Sequence, residues 1–145
     1  TFGYGFGNGG TSGVELPLSE RYFPGGINTV RGFQARPLGP RELWCDYKDG
    51  IDCRSSEVGG SSQLIINNEI IFPLAREIGL RGAFFLDFGK GADQWEKLFP
   101  LRVGYGVGIR WFSPFGPILI DIGFNPNPKR GEKSRVIDFT AGAIY

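Results

Sequence analysis

Histidine is absent from this 145-residue chain, which removes the Ser–His and Cys–His nucleophile systems together. Asp87 and Asp121 could be imagined as a carboxylate pair, but nothing in their spacing makes them one. Two cysteines, Cys45 and Cys53, share one polar stretch with Asp46, Asp49 and Asp52. With no histidine and no third cysteine a zinc site lacks ligands. Two free thiols remain as one reading, and a local disulfide in an oxidising compartment is the favoured one. We therefore expect no enzyme, no catalytic residue, no metal and no cofactor. The group with chemistry left to explain is Arg31, in the tetrapeptide Val30-Arg31-Gly32-Phe33. A guanidinium presents a planar fork that binds carboxylates bidentately. By residue type alone Arg31 is either a solvated loop cation or one that docks on acids elsewhere.

The elements that would position it are strands. Period-2 alternation is the dominant pattern. Leu101, Val103, Tyr105, Val107, Ile109 and Trp111 share one face; Arg102, Gly104, Gly106, Gly108 and Arg110 share the other. A water-soluble sandwich would cover its second face with polar side chains. A face of glycine with an arginine near each end fits better with a barrel wall crowded from inside, its bulky face outward in lipid. The rhythm recurs. Phe2, Tyr4 and Phe6 alternate with glycines; Leu64, Ile66, Ile70 and Phe72 oppose Gln63, Asn67 and Glu69. Leu80, Phe84, Leu86 and Phe88 oppose Arg81, Ala83, Phe85 and Asp87. Ile118, Ile120, Ile122 and Phe124 oppose Leu119, Asp121 and Gly123, and Ile137, Phe139 and Ala141 oppose Val136, Asp138 and Thr140. Glu69 and Asp87 thus fall on inward faces, where acids either line a wet lumen or receive a cation.

Glycine is high at 24 residues, aromatics make up 14%, and the net charge of +1 gives no electrostatic case for nucleic acid. Mean hydropathy is -0.13, and no run of about 18 apolar residues exists for a transmembrane helix. Alternating strands escape that test because they average to neutral hydropathy. Connections alternate in length: a very long one over about 9–61, a short one near Pro73 to Ile78, a medium one with Lys90, Gly91, Asp93 and Glu96, a tight Ser113-Pro114-Phe115-Gly116 turn, and a polar Asn125 to Lys133 loop. Outer-membrane barrels have short periplasmic turns and longer surface loops. The expected fold is therefore all-β: an antiparallel transmembrane β-barrel segment of about six strands, too few to close where single-chain barrels begin at about eight. The chain starts at Thr1 and not at Met, and we read it as the C-terminal piece of a longer one.

The ordered set Glu20-Arg21-Tyr22-Phe23-Pro24-Gly25-Gly26, Val30-Arg31-Gly32-Phe33-Gln34, Gly39-Pro40, Gly59-Gly60, Arg110-Trp111-Phe112-Ser113-Pro114-Phe115-Gly116-Pro117 and Phe139-Thr140-Ala141-Gly142-Ala143-Ile144-Tyr145 resembles the C-terminal part of the Omp85 superfamily barrel, nearest its bacterial outer-membrane assembly members. Each motif is weak alone; their order is specific. The resemblance implies that residues 1–145 are the last six strands of a sixteen-stranded barrel, with N-terminal POTRA domains outside this chain and a long surface loop that folds back into the lumen. It implies that Arg31 contacts Glu69 and Asp87. It implies a bacterial outer-membrane location and a non-covalent function, the folding and insertion of β-barrel proteins. The partners would be the lipid bilayer, client barrels and, through the POTRA domains, assembly-complex lipoproteins. Phe139, Gly142 and Tyr145 resemble the terminal signal that such machines read, on a strand that would close a weak seam. The loop disulfide favours bacterial members over organellar ones. A protein-translocating pore of the same superfamily and a plain porin-like barrel are the alternatives.

Overall fold

The computed structural model describes residues 2–4, 17–35, 37–46, 52–114, 116–129 and 131–142, without the side chains of 2–4, 18, 44–46, 52–55 and 95. In chain order the strands are β1 (Phe2–Tyr4), β2 (Arg41–Asp46), β3 (Asp52–Glu57), β4 (Ser62–Ala75), β5 (Leu80–Ala92), β6 (Arg102–Ser113), β7 (Gly116–Phe124) and β8 (Arg135–Ala141). Six of them form one sheet in the order β1-β4-β5-β6-β7-β8, antiparallel at every step. Among the described residues the only helical pieces are 3-10 turns. β4, β5 and β6 run 14, 13 and 12 residues, more than the roughly 9–11 that a tilted membrane strand needs.

Alternation sorts the faces as the sequence implies. Along β6, Gly104, Gly106, Gly108 and Arg110 are buried while Tyr105, Val107, Ile109 and Trp111 are exposed. The exposed set continues sideways through Ile66, Ile70, Phe84, Leu86, Ile120, Ile137 and Phe139, so one face of the sheet is a continuous apolar surface. The other face carries the core. Val30, Phe33 and Leu38 from the long loop pack with Ile65 of β4, all four at most 4% exposed. Burial here is loop against wall, which is why a sheet one layer thick has a core at all.

Two elements depart from the sequence reading. The stretch 9–61 contains the antiparallel hairpin β2–β3, paired from Arg41↔Glu57 to Asp46↔Asp52. Its charged, mixed composition presents no apolar face, so alternation gave no signal. β4 continues through Pro73 to Ala75, with the register slipping between those two residues. Proline has no amide to give the ladder, and a bulge is where a strand tolerates it.

Candidate functional site

The long loop reaches the inner wall through its backbone first. Tyr22 and Gly60 exchange two backbone hydrogen bonds of 2.8 and 2.9 Å, and the Gly91 amide of β5 donates to the Leu38 carbonyl at 2.8 Å. Asn67 Nδ2 of β4 donates to the Thr29 carbonyl at 2.6 Å. These contacts hold both ends of a turn whose tip is Val30-Arg31-Gly32-Phe33. Gly32 has φ +86°, and a Cβ there would stand 2.8 Å from the Phe124 carbonyl oxygen. A side chain at 32 is thus excluded by both conformation and space. The wall is cleared to match: a Cβ on Gly104 would collide with the Arg31 carbonyl, and one on Gly123 with the Gly32 amide. The glycine face of β6 and β7 is the bed on which the turn lies.

Arg31 lies on β5 and β4. Its Nε donates to Asp87 Oδ2 at 2.7 Å, its Nη2 to Asp87 Oδ1 at 2.9 Å, and its own backbone amide to Asp87 Oδ2 at 3.0 Å. Nη1 donates to Glu69 Oε2, and the guanidinium carbon sits 4.0 Å from the centroid of the Phe85 ring. Asp87 is fully buried and the Arg31 side chain is 9% exposed. Burial alone would lower the arginine's pKa; hydrogen bonds and charge from Asp87 and Glu69 outweigh it and raise the value above the ordinary one. The arginine is permanently charged, and the fork-to-carboxylate geometry uses its planarity in a way a lysine cannot.

A second guanidinium, passed over in the sequence reading, completes the cluster. Arg110 of β6 binds Asp121 of β7 through two parallel bonds, Nη1 to Oδ1 at 2.6 Å and Nη2 to Oδ2 at 3.0 Å. It also reaches Glu69, Nε to Oε1 at 3.2 Å and Nη2 to Oε2 at 3.3 Å. Glu69 is therefore shared by both arginines, and the chain Asp87–Arg31–Glu69–Arg110–Asp121 spans β5, β4, β6 and β7. Alternation had placed all of these residues on the inner face, and the cross-strand register was the missing information. Higher up, Arg102 binds Glu132 of the 125–134 loop through Nη2 at 2.7 Å and stacks 5.1 Å over the Phe33 ring. Phe33 is thereby anchored between wall and loop. Burial would raise the Glu132 pKa, but Arg102, the Lys129 amide and Asn125 prevail and hold it below the usual carboxylate range.

Of the remaining candidates, Cys45 and Cys53 are direct partners across the β2–β3 hairpin, and their side chains lie outside the described residues. Phe139 is 66% exposed on the apolar face of β8. Gly142 follows β8 with φ +113°, its amide bonded to the Pro117 carbonyl at 3.1 Å. Tyr145 lies outside the described residues, as does Phe6.

The Omp85 superfamily domain matches residues 1–145. The chain is 29% identical over 138 residues to the outer membrane protein assembly factor BamA of Nitratidesulfovibrio vulgaris, covering 90% of this chain and 16% of that protein. It is 30% identical to the protein of the same name from Neorickettsia risticii, covering 90% of this chain and 17% of the other. The chain thus spans about a sixth of the length of these relatives. The crystal structure of BamA from Haemophilus ducreyi lacking POTRA domains 1-3 superposes with a TM-score of 0.71 at 21% identity, over 89% of this chain and 28% of that one. The fold is therefore that of an antiparallel β-barrel segment.

Proposed function

The chain belongs to the Omp85 superfamily, and from that premise we propose that it is the C-terminal wall of a bacterial outer-membrane barrel that folds and inserts other β-barrel proteins. The observation that carries this reading is the seated turn. A long loop is fixed to the inner wall by Arg31 on Asp87 and Glu69, under a glycine bed that accepts nothing larger. That arrangement braces one half of the wall and fills the space a diffusion pore would leave open. The apolar outer face suits lipid contact, and relatives named as assembly factors supply the substrate class, client barrel proteins. Lipoproteins of an assembly complex would join through POTRA domains in the whole protein.

In this mechanism no covalent chemistry occurs. The braced wall keeps β4–β7 rigid while the last strand, β8 with Phe139, forms a seam that receives client strands by β-augmentation; Gly142 and Tyr145 follow it in the sequence. Cys45 and Cys53, opposed across β2–β3, form a disulfide that rigidifies the loop's hairpin; direct cross-strand partners have Cα separations of about 4.5–5.5 Å, within the range a disulfide spans. The test is reconstitution of the whole protein in lipid vesicles, followed by addition of a urea-denatured barrel client. Folding faster than in empty vesicles is expected. Client folding at the empty-vesicle rate with steady ion conductance would instead identify a porin, and transport of a client to the far side would identify a translocation pore.

A further inference from the structure

The inner face of β8 holds a carboxylate that the cluster does not satisfy. Asp138 sits directly opposite Asp121 in the β7–β8 register. Asp121 has its own partner in Arg110, whereas Asp138 Oδ2 is buried and, among the described residues, has no hydrogen-bond partner. Among the described residues of the cluster, two guanidiniums, Arg31 and Arg110, face four carboxyl groups, Glu69, Asp87, Asp121 and Asp138, so the acids outnumber the cations. Arg81 lies across from Arg110 but turns its guanidinium over the Phe112 ring of β6 at 5.1 Å. A buried acceptor without a donor is costly, and a carboxylate more so than a neutral group. On one side of Asp138 stands β7; the other is the outer side of β8, the last strand in the order of this chain's sheet, where the proposed seam lies.

We propose that Asp138 is a specificity determinant of that edge: it selects an incoming β-strand carrying Lys or Arg on the face that pairs beside it. Backbone pairing supplies the affinity in β-augmentation and side chains at alternate positions supply the selection. A strand added to β8 must place every second residue on the lumen face and the others in line with Ile137 and Phe139, which are 63% and 66% exposed. The residue next to Asp138 then lies on the lumen face, and a cation there meets the carboxyl group that Arg110 leaves without a donor. This inference rests on the reading of β8 as the receiving edge and adds what that edge recognises.

The test uses the whole protein in lipid nanodiscs and three synthetic peptides of nine residues, apolar at alternate positions. Their central lumen-side residue is Lys, norleucine or Glu. Each peptide carries a photocrosslinker at its end, and attachment to β8 is mapped by mass spectrometry. The Lys peptide is expected to bind about tenfold or more tightly than the norleucine one, the size of a charged hydrogen bond. Asp138→Asn, which is nearly isosteric, should erase that preference, and Asp138→Lys should transfer it to the Glu peptide. Equal binding of Lys and norleucine peptides at β8 would overturn the selectivity while leaving β8 as a receiving edge. A preference for Lys that survives Asp138→Asn would overturn it as well, marking simple adsorption. Absence of any crosslink to β8 would overturn the receiving-edge reading itself.

Discussion

Arg31 and Glu132 are both paired and both poorly exposed, yet only the second responds to pH. Arg31 has a pKa raised above an already high value, so its guanidinium does not lose its charge as pH rises. Its removal is felt as an uncompensated carboxylate. Because Asp87 is fully buried, Arg31→Ala should cost about 3–5 kcal/mol, read as a lower temperature for loss of the compact, heat-modifiable form on gels. Arg31→Lys should recover only part of this, since an ammonium cannot make the paired bonds. The double variant Arg31→Ala/Asp87→Ala should be less destabilised than the sum of the single ones; additive losses would show that the two residues do not act together. Glu132 has a pKa below the usual carboxylate range. Its contribution is fully present above the ordinary carboxylate value and is lost as pH falls through the lowered one. A spin label at Lys133, which is exposed, should become more mobile over that acid interval. In Glu132→Gln the label should be mobile already at neutral pH and change little on acidification.

The elements were legible wherever one face differed in kind from the other. Glycine against aromatic and aliphatic residues in β6 fixed both the strand and its orientation, and the same logic put Glu69, Asp87 and Asp121 inward. The hairpin β2–β3 was hidden because Arg41, Glu42, Leu43 and Trp44 show no segregation of faces. Arg110–Asp121 was hidden for another reason: alternation gives the face but not the register, and only the register brings these two residues side by side on β6 and β7. The glycine bed makes its own prediction. Gly104→Ala places a methyl group where the Arg31 carbonyl now lies, against strand backbone that cannot yield, so the loop must lift. Trypsin should then cut after Arg31, a bond protected in the parent protein by burial of Val30, Arg31 and Gly32. Val107→Ala, on the exposed apolar face, is the control and should leave that bond protected.

At the scale of the whole molecule, the sheet has no stable interior until the loop lies on it: the buried cluster Val30, Phe33, Leu38 and Ile65 draws three members from the loop and one from the wall. A barrel wall needs no such core for its backbone, since inter-strand hydrogen bonds satisfy it. The seated loop therefore has a different consequence, which is to fill the lumen side and tie β4, β5, β6 and β7 together through shared acids. Releasing it should open the pore and loosen the wall at once. In planar bilayers the whole protein is expected to show low, intermittent conductance, and Arg31→Ala to raise it several-fold. In parallel, vesicles carrying Arg31→Ala should fold a denatured client more slowly than the parent does. A merely plugging loop would give the first effect without the second, because an unplugged but rigid wall would still present its seam. A bracing loop gives both, and a variant that conducts freely yet assembles clients at the parental rate would separate lumen filling from assembly and remove the loop from the mechanism.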